Sequence, residues 1–280
     1  MSGKEWHHVS CSGGKDSTAL AIGMWERGYQ IDEIVAADEG MWWPEAYQVL
    51  EQITAITGIP VTIIQPAEDK RFEYLMFDKV LTRGARAGLK GYGWPSGKNR
   101  WCTEYCKAQQ LDAHIAQKEN EGFHVISYIG IAADEAHRAD KNSGSKTLEK
   151  RYPLIDWGMT EADCLEFCGD HGIDFGGLYD HFNRLSCWCC PLMSLRDARS
   201  LYHFYPEKWE RLKDMDARAR NQFKPAWSVQ ALEDRFRLED ELGEWQCPLC
   251  KGKLAITGRD ESCVQAECQM CGYSIIKARM

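Results

Sequence analysis

The sequence predicts an α/β fold: a parallel sheet with flanking helices, a helical extension, and a small C-terminal module held by cysteines. Three observations predict it. Residues 6–11, short and β-prone, run into the glycine loop Ser12-Gly13-Gly14-Lys15-Asp16-Ser17, and residues 18–25 then read as helix. The alternation continues through an apolar run at 31–37, a helix at 44–57 opening on Pro44 with Val49, Ile53 and Ile56 on one face, and a strand at 61–64. Strands and helices in turn imply parallel pairing. Last, apolar residues become sparse after Trp245 while two Cys-x-x-Cys pairs arrive.

The loop after the first strand points to an anion. Two glycines let the backbone approach a phosphate, the helix that follows aims unpaired N–H groups at it, and Lys15 adds a mobile positive charge. The plainer alternative is a tight strand-to-helix turn with Ser12 as the helix N-cap. The spacing is not that of a Walker A loop, which needs a longer spacer before its Gly-Lys-Ser/Thr ending. Asp38 closes the second strand at the carboxyl edge, where ligands sit in open α/β sheets. It is a candidate for the nucleotide site or, alternatively, a turn acid before the next helix. A strand at 124–129 ends on Gly130, which would allow close nucleotide approach, with Arg138 a little further on.

Composition limits the partners. The 280 residues carry a net charge of −8, so nothing draws the whole molecule to nucleic acid, and any such contact is local. One place offers it: Arg83, Arg86, Lys90, Lys98 and Arg100 alternate with glycines around Tyr92 and Trp94, and no acid interrupts them. That composition describes a lid closing over a polyanion or stacking on a base, or else a solvated loop. The N-terminus has no apolar signal core, and no run approaches the roughly 20 apolar residues of a membrane helix. A cytoplasmic protein without a membrane partner is the expectation. Thirteen cysteines in that setting argue for reduced thiols and metal ligands rather than disulfides.

The cysteines form two constellations. Cys247 and Cys250, then Cys268 and Cys271, make two knuckles that each close into glycine, the spacing of a zinc ribbon that needs its metal to fold; Cys263 is spare. Cys102 and Cys106 lie one turn apart at the head of a helix at 100–118, and Cys187 and Cys190 follow in Cys187-Trp188-Cys189-Cys190-Pro191. These four suit a second zinc, a four-iron cluster, or buried unligated thiols. Residues 139–150 read as polar and mobile, a helix at 160–169 starts on Thr160, and amphipathic helices follow at 194–205, 206–221 and 228–241. The expected division is a nucleotide-binding domain at 1–157, a helical extension at 158–243 and a zinc ribbon at 244–280.

The Ser12 to Ser17 loop resembles the PP-loop of the ATP-pyrophosphatase families. Asp38-Glu39-Gly40, Arg100-Trp101-Cys102-Thr103 with Lys107, Gly130 with Arg138, and Cys187 to Pro191 extend the likeness in order. Together they are similar to the phosphoadenosine-phosphosulfate reductase-like group, especially its phage and mobile-element members and the ATP-pyrophosphatases of DNA phosphorothioation. The resemblance implies an adenine-nucleotide α-hydrolase-like fold. It implies that Ser12, Gly13, Gly14, Lys15, Asp16 and Ser17 bind phosphate, that Asp38 and Gly130 lie near the nucleoside, and that Lys15, Asp16, Lys107 and Arg138 carry catalysis. ATP with magnesium would be consumed by AMP transfer, a nucleic acid would accept it, a donor such as a cysteine desulfurase would bring sulfur, and the Cys102 and Cys187/Cys190 regions would ligate a 4Fe-4S cluster. Two departures stand out. Reductases end in a Glu-Cys-Gly-Leu-His tail where this sequence ends Lys277-Ala278-Arg279-Met280, and Ala132 stands where many relatives have arginine. Besides sulfur transfer, a sulfonucleotide reductase using a thiol such as Cys189, or a non-catalytic nucleotide-binding adaptor, fits the same motifs.

Overall fold

The computed structural model describes residues 4–139, 148–185, 187–241, 254–259, 263–268 and 274–278. The chain divides into two compact units, Met1–Ala226 and Trp227–Met280.

The first unit is built on a five-stranded sheet: β1 (Glu5–Ser10), β2 (Glu33–Ala37), β3 (Val61–Ile64), β4 (His124–Ile129) and β5 (Leu148–Arg151). All pairings are parallel, in the order β3-β2-β1-β4-β5. The order reverses at β1, with β2 on one side and β4 on the other, which opens a crevice beyond the carboxyl ends of β1 and β4. In β1, Trp6, His7, His8 and Val9 are all buried, because a central parallel strand is covered on both faces.

The helices of this unit are α1 (Lys15–Glu26), α2 (Pro44–Thr57), α3 (Gln109–Asn120), α4 (Pro153–Asp156), α5 (Glu161–Asp170), α6 (Leu178–His181), α7 (Leu195–Phe204) and α8 (Pro206–Arg218). Pro44 opens α2 with its φ preset, and Gly58 ends it at φ +71°. The main core joins Ala19, Leu20 and Ile22 of α1 to Val9, Ile34 and Ile126 of the sheet, Leu50 and Ile53 of α2, and Cys164 and Cys168 of α5. Thr160 caps α5 reciprocally with Asp163: the Asp163 amide donates to Thr160 Oγ1 at 3.2 Å and the Thr160 amide to Asp163 Oδ2 at 2.8 Å.

Two elements differ from the sequence expectation. Residues 148–150, read as the end of a polar mobile stretch, form with Arg151 the edge strand β5, where Glu149 and Arg151 pair with each other at 2.7 Å; charged side chains suit an edge, and they conceal the strand pattern. The helix expected from residue 100 starts as a π-helical turn, Cys102–Ala108, before α3.

The second unit holds α9 (Val229–Glu241) and an antiparallel sheet of β6 (Leu254–Arg259), β7 (Cys263–Cys268) and β8 (Ser274–Ala278), with β7 in the middle. The zinc site expected on Cys247, Cys250, Cys268 and Cys271 lies outside the described residues, apart from the backbone of Cys268, which ends β7. Among the described residues no helix is long and apolar enough to cross a membrane.

Candidate functional site

The Ser12 to Ser17 loop leaves β1 and enters α1, as its glycines require. Gly13 has φ +72°, and a methyl group there would lie 3.1 Å from the carbonyl oxygen and 3.2 Å from the Cβ of Ala46. Gly14, not Ser12, is the N-cap of α1. Ser17 ties the loop together: its Oγ accepts from the Ser12 amide at 3.0 Å, lies 3.3 Å from Ser12 Oγ, and donates to the Gly14 carbonyl at 3.0 Å. The loop is thus braced before any ligand arrives.

Both donors of Lys15 have partners from the protein itself. The Lys15 amide donates to the Tyr179 hydroxyl at 2.8 Å, and the buried Lys15 Nζ sits 3.4 Å from Asp16 Oδ1 and 3.3 Å from Glu161 Oε1. Burial raises the Asp16 pKa; Lys15 opposes the rise and Glu161 adds to it. From behind, the Cys168 thiol donates to the Lys15 carbonyl at 3.5 Å. Gly130 makes room for the protein's own backbone: a Cβ there would be 3.0 Å from the Asp16 carbonyl and the Ser17 Cα. Asp38 is buried and fully engaged, accepting from the Gly40 amide at 2.7 Å, the Tyr47 hydroxyl at 2.7 Å and Gln65 Nε2 at 3.0 Å. Arg138 pairs with Glu135 on an exposed turn.

A second group of side chains gathers on the neighbouring residue of the β2 edge. Glu39, its side chain fully buried, receives Lys107 Nζ at 2.9 Å and Trp42 Nε1 at 3.0 Å on Oε2, and the Cys187 thiol on Oε1. Cys187 and Glu39 hold the Lys107 ammonium above its usual pKa although burial opposes this. Burial raises the thiols of Cys187 and Cys189 well above the ordinary range and that of Cys102 less so, and it pushes Cys106 up to about 12. The turn carrying these cysteines is pinned by the Trp188 amide on the Met41 carbonyl at 3.2 Å and by Lys224 Nζ on the carbonyls of Pro191 and Met193 at 2.9 and 2.6 Å.

Of the four thiols expected to hold a metal, Cys102 interacts electrostatically with both Cys106 and Cys190, and Cys187 lies against Glu39 and Lys107. Among the described residues no three His, Cys, Asp or Glu side chains come together to hold a metal ion. In this structure the Cys106 thiol donates to the Lys70 carbonyl at 3.3 Å and that of Cys187 donates to Glu39.

In the basic segment Arg83, Arg86, Lys90, Lys98 and Arg100 are exposed, as a polyanion surface requires. Its rings and glycines behave differently from a lid. Trp94 is buried, with Nε1 donating to Asp216 Oδ1 at 2.9 Å, and Tyr92 stacks on Trp101 and Tyr105. Gly91 and Gly93 are packing positions, where a Cβ would lie 2.1 Å from the Met76 carbonyl oxygen and 2.0 Å from Asn221 Oδ1.

Sequence reasoning missed Tyr179 and Glu161, which close on the loop from α6 and α5, and it met Glu39 only as part of the Asp38-Glu39-Gly40 block. Adjacency to Asp38 was the one signal for Glu39. Nothing in the sequence marks Tyr179, because its bond to Lys15 spans 164 positions.

Residues 7–193 match the family described as phosphoadenosine phosphosulfate reductase domain. Among curated proteins the chain is 26% identical over 215 residues to the uncharacterized protein MJ0066 of Methanocaldococcus jannaschii, covering 74% of this chain and 40% of that protein. The chain therefore spans less than half the length of that relative. Among solved structures, phosphoadenylyl-sulfate (PAPS) reductase from Candida auris, in its phosphate complex, is similar at 14% identity with a TM-score of 0.44, over 65% of this chain and 81% of that one.

Proposed function

The chain belongs to the phosphoadenosine phosphosulfate reductase domain family, and from that premise we propose that it is an ATP-pyrophosphatase that activates a substrate oxygen with AMP for replacement by sulfur. The observation that carries the reading is the Ser17-braced loop at the strand-order reversal, with Lys15 buried beside it. ATP, as its magnesium complex, would lay its β- and γ-phosphates on the loop amides. A substrate oxygen attacks the α-phosphorus, pyrophosphate leaves, and a sulfur nucleophile then displaces AMP from the activated carbon. Lys15 and the loop amides stabilise the charge that builds on the departing pyrophosphate, the term expected to carry most of the rate. Binding exchanges partners: phosphate oxygens take the place of the Tyr179 hydroxyl at the Lys15 amide and of Glu161 at Nζ. Nucleic acid is the proposed acceptor, because the exposed cations between Arg83 and Arg100 form an acid-free stretch in an otherwise acidic chain. A cysteine desulfurase is the proposed source of sulfur.

Formation of AMP and pyrophosphate from ATP tests this reading. Lys15→Ala is expected to lower the rate by about 100-fold or more; an unchanged rate would end the proposal. Cys187, a residue only partly buried where Cys189 beside it is fully so, favours a second reading, sulfonucleotide reduction. Release of sulfite from phosphoadenosine phosphosulfate, with no AMP formed from ATP, would select it.

A further inference from the structure

The geometry points to residues 79–91 as a projecting hairpin that enters the major groove of duplex DNA, with Arg83 and Arg86 at its tip meeting guanine. The inference rests on the nucleic-acid reading above and adds the form of the acceptor and the residues that touch its bases.

Backbone pairing closes the hairpin. The Gly91 amide donates to the Lys79 carbonyl at 2.8 Å, Val80 and Lys90 bridge antiparallel, the Leu81 amide donates to the Leu89 carbonyl at 2.9 Å, and the Gly88 amide donates to the Leu81 carbonyl at 2.8 Å. Arg83 keeps extended backbone, φ −136° and ψ 156°, up to the turn Gly84–Arg86. Every residue from Thr82 to Lys90 is exposed, and a Cβ on Gly84 or Gly88 would meet nothing within 4 Å, so the tip stands clear of the protein. The base is anchored. Arg220 donates to the Gly91 carbonyl at 3.1 Å, the Tyr92 amide donates to the Leu75 carbonyl at 2.9 Å, and the Tyr92 ring stacks on Trp101 and Tyr105. Tyr105 belongs to the π-helical turn that also carries Lys107, the partner of Glu39, so the hairpin is rooted in an element that reaches the carboxyl edge of the sheet.

Charge and shape decide what the tip meets. Arg138, Arg151, Arg211 and Arg218, also exposed, each pair with an acid: Glu135, Glu149, Glu73 and Asp214. Among the described residues Arg83, Arg86 and Lys90 have no acid partner, so they bind an anion or a base edge without breaking an ion pair. A single strand is held by stacking on aromatic rings, and the hairpin carries none. Two antiparallel strands, about 4.8 Å apart, suit the major groove of B-form DNA, which is about 12 Å wide and about 8.5 Å deep. Val80 to Arg83 extends about 10 Å, enough to bring the tip to the groove floor. The same groove of an RNA duplex is too narrow. At the floor guanine presents O6 and N7, two acceptors that match the arginine fork, and Gly84, Ala85, Ala87 and Gly88 keep the tip slim between the two arginines. Lys90, nearer the base, is left for the phosphates. On a single strand, which has no groove, the arginines likewise meet only phosphates.

The test measures binding of the full-length protein, without ATP, to probes of equal length by fluorescence anisotropy. A DNA duplex containing G·C pairs is expected to bind about tenfold tighter than the same sequence as an RNA duplex or a single strand. Arg83→Ala and Arg86→Ala should each weaken binding to that duplex by about tenfold, the size of one bidentate contact, and remove its advantage over a duplex of A·T pairs alone. In the unsubstituted protein, 7-deazaguanine probes, which lack the major-groove N7 acceptor, should reproduce that loss; in the two variants they should add little. Lys90→Ala should weaken all duplexes alike and lower the salt slope by about 0.9. Ala85→Glu, an acid at an exposed tip position, should abolish duplex binding while leaving Tm unchanged. Equal affinity for duplex and single strand, tighter binding of the RNA duplex, or indifference to 7-deazaguanine would each overturn the inference. Because binding is read without ATP, protein that forms AMP but shows any of these results refutes the hairpin's role alone. Protein that binds the duplex as expected but forms no AMP refutes the adenylation reading and leaves the hairpin's role standing.

Discussion

The Ser12 to Ser17 loop and residues 83–100 are both rich in glycine and cations, yet the fold uses the two compositions in opposite ways. In the loop the charge is turned inward: Lys15 is buried between Asp16 and Glu161, and its amide is held by Tyr179. In the longer segment Gly91, Gly93 and the rings are turned inward, against Met76 and Asn221 and among Trp101, Tyr105 and Asp216, while the cations face solvent. A strand before and a helix after fix the first as a compact turn, the proposed cradle for the β- and γ-phosphates. Without those brackets the second is a fixed platform with a charged outer face. Glycine beside lysine therefore indicates flexibility in neither region.

The most disruptive way to break this contrast is at the packed glycines. Gly91 has φ +70°, and a Cβ there would meet the Met76 carbonyl oxygen at 2.1 Å, a backbone atom that cannot move aside cheaply. Gly91→Ala is expected to cost about 3 kcal/mol, from left-handed strain and overlap together. Gly97, in the same segment, has nothing within 4 Å of its would-be Cβ. Gly97→Ala should stay within about 0.5 kcal/mol. Urea denaturation of the two variants decides the matter, and equal stabilities would restore the picture of a hinged lid.

A smaller effect sharpens the loop side. Tyr179→Phe removes the hydroxyl that occupies the Lys15 amide while keeping the ring beside Phe175. A phosphate oxygen would then no longer have to displace a hydrogen bond worth about 1 kcal/mol, so ATP should bind roughly fivefold tighter. Titration calorimetry reads this directly. Weaker binding would mean that the Tyr179 hydroxyl itself contacts the nucleotide.

How far the sequence could be read follows from the range of each interaction. The loop, β2 to β4 and α2 were legible because their signals are local: period, glycine and proline. So was the Thr160 cap of α5. β5 was not, because an edge strand with Glu149 and Arg151 has no apolar run. The cysteine spacing of 102/106 and 187/190 suggested a cage because spacing records which thiols can meet, not which acceptor each one finds. In the structure Cys187 and Cys106 hydrogen-bond Glu39 and the Lys70 carbonyl, each distant in sequence from the cysteine it binds. Tyr179 and Glu161 illustrate the same limit at the loop, where tertiary partners with no motif of their own complete the site.

The smallest expected effect tests the outer face of the platform. Residues 79–103 contain Lys79, Arg83, Arg86, Lys90, Lys98 and Arg100 and no acid, while the chain as a whole is at −8. If these cations meet a nucleic-acid backbone, each contact releases about one counterion, and the dependence of binding on salt reports the number of contacts. Arg86 is exposed, so Arg86→Ala should change folding stability by less than about 0.5 kcal/mol. Its binding to single-stranded DNA or RNA should weaken by only about threefold at 0.15 M salt, yet the slope of log affinity against log salt should fall by about 0.7. Fluorescence anisotropy across a salt series measures both quantities. A slope untouched in Arg86→Ala, and also in Arg83→Ala and Lys90→Ala, would make the outer face a solvated surface like any other and leave the phosphate loop as the anion site of this chain.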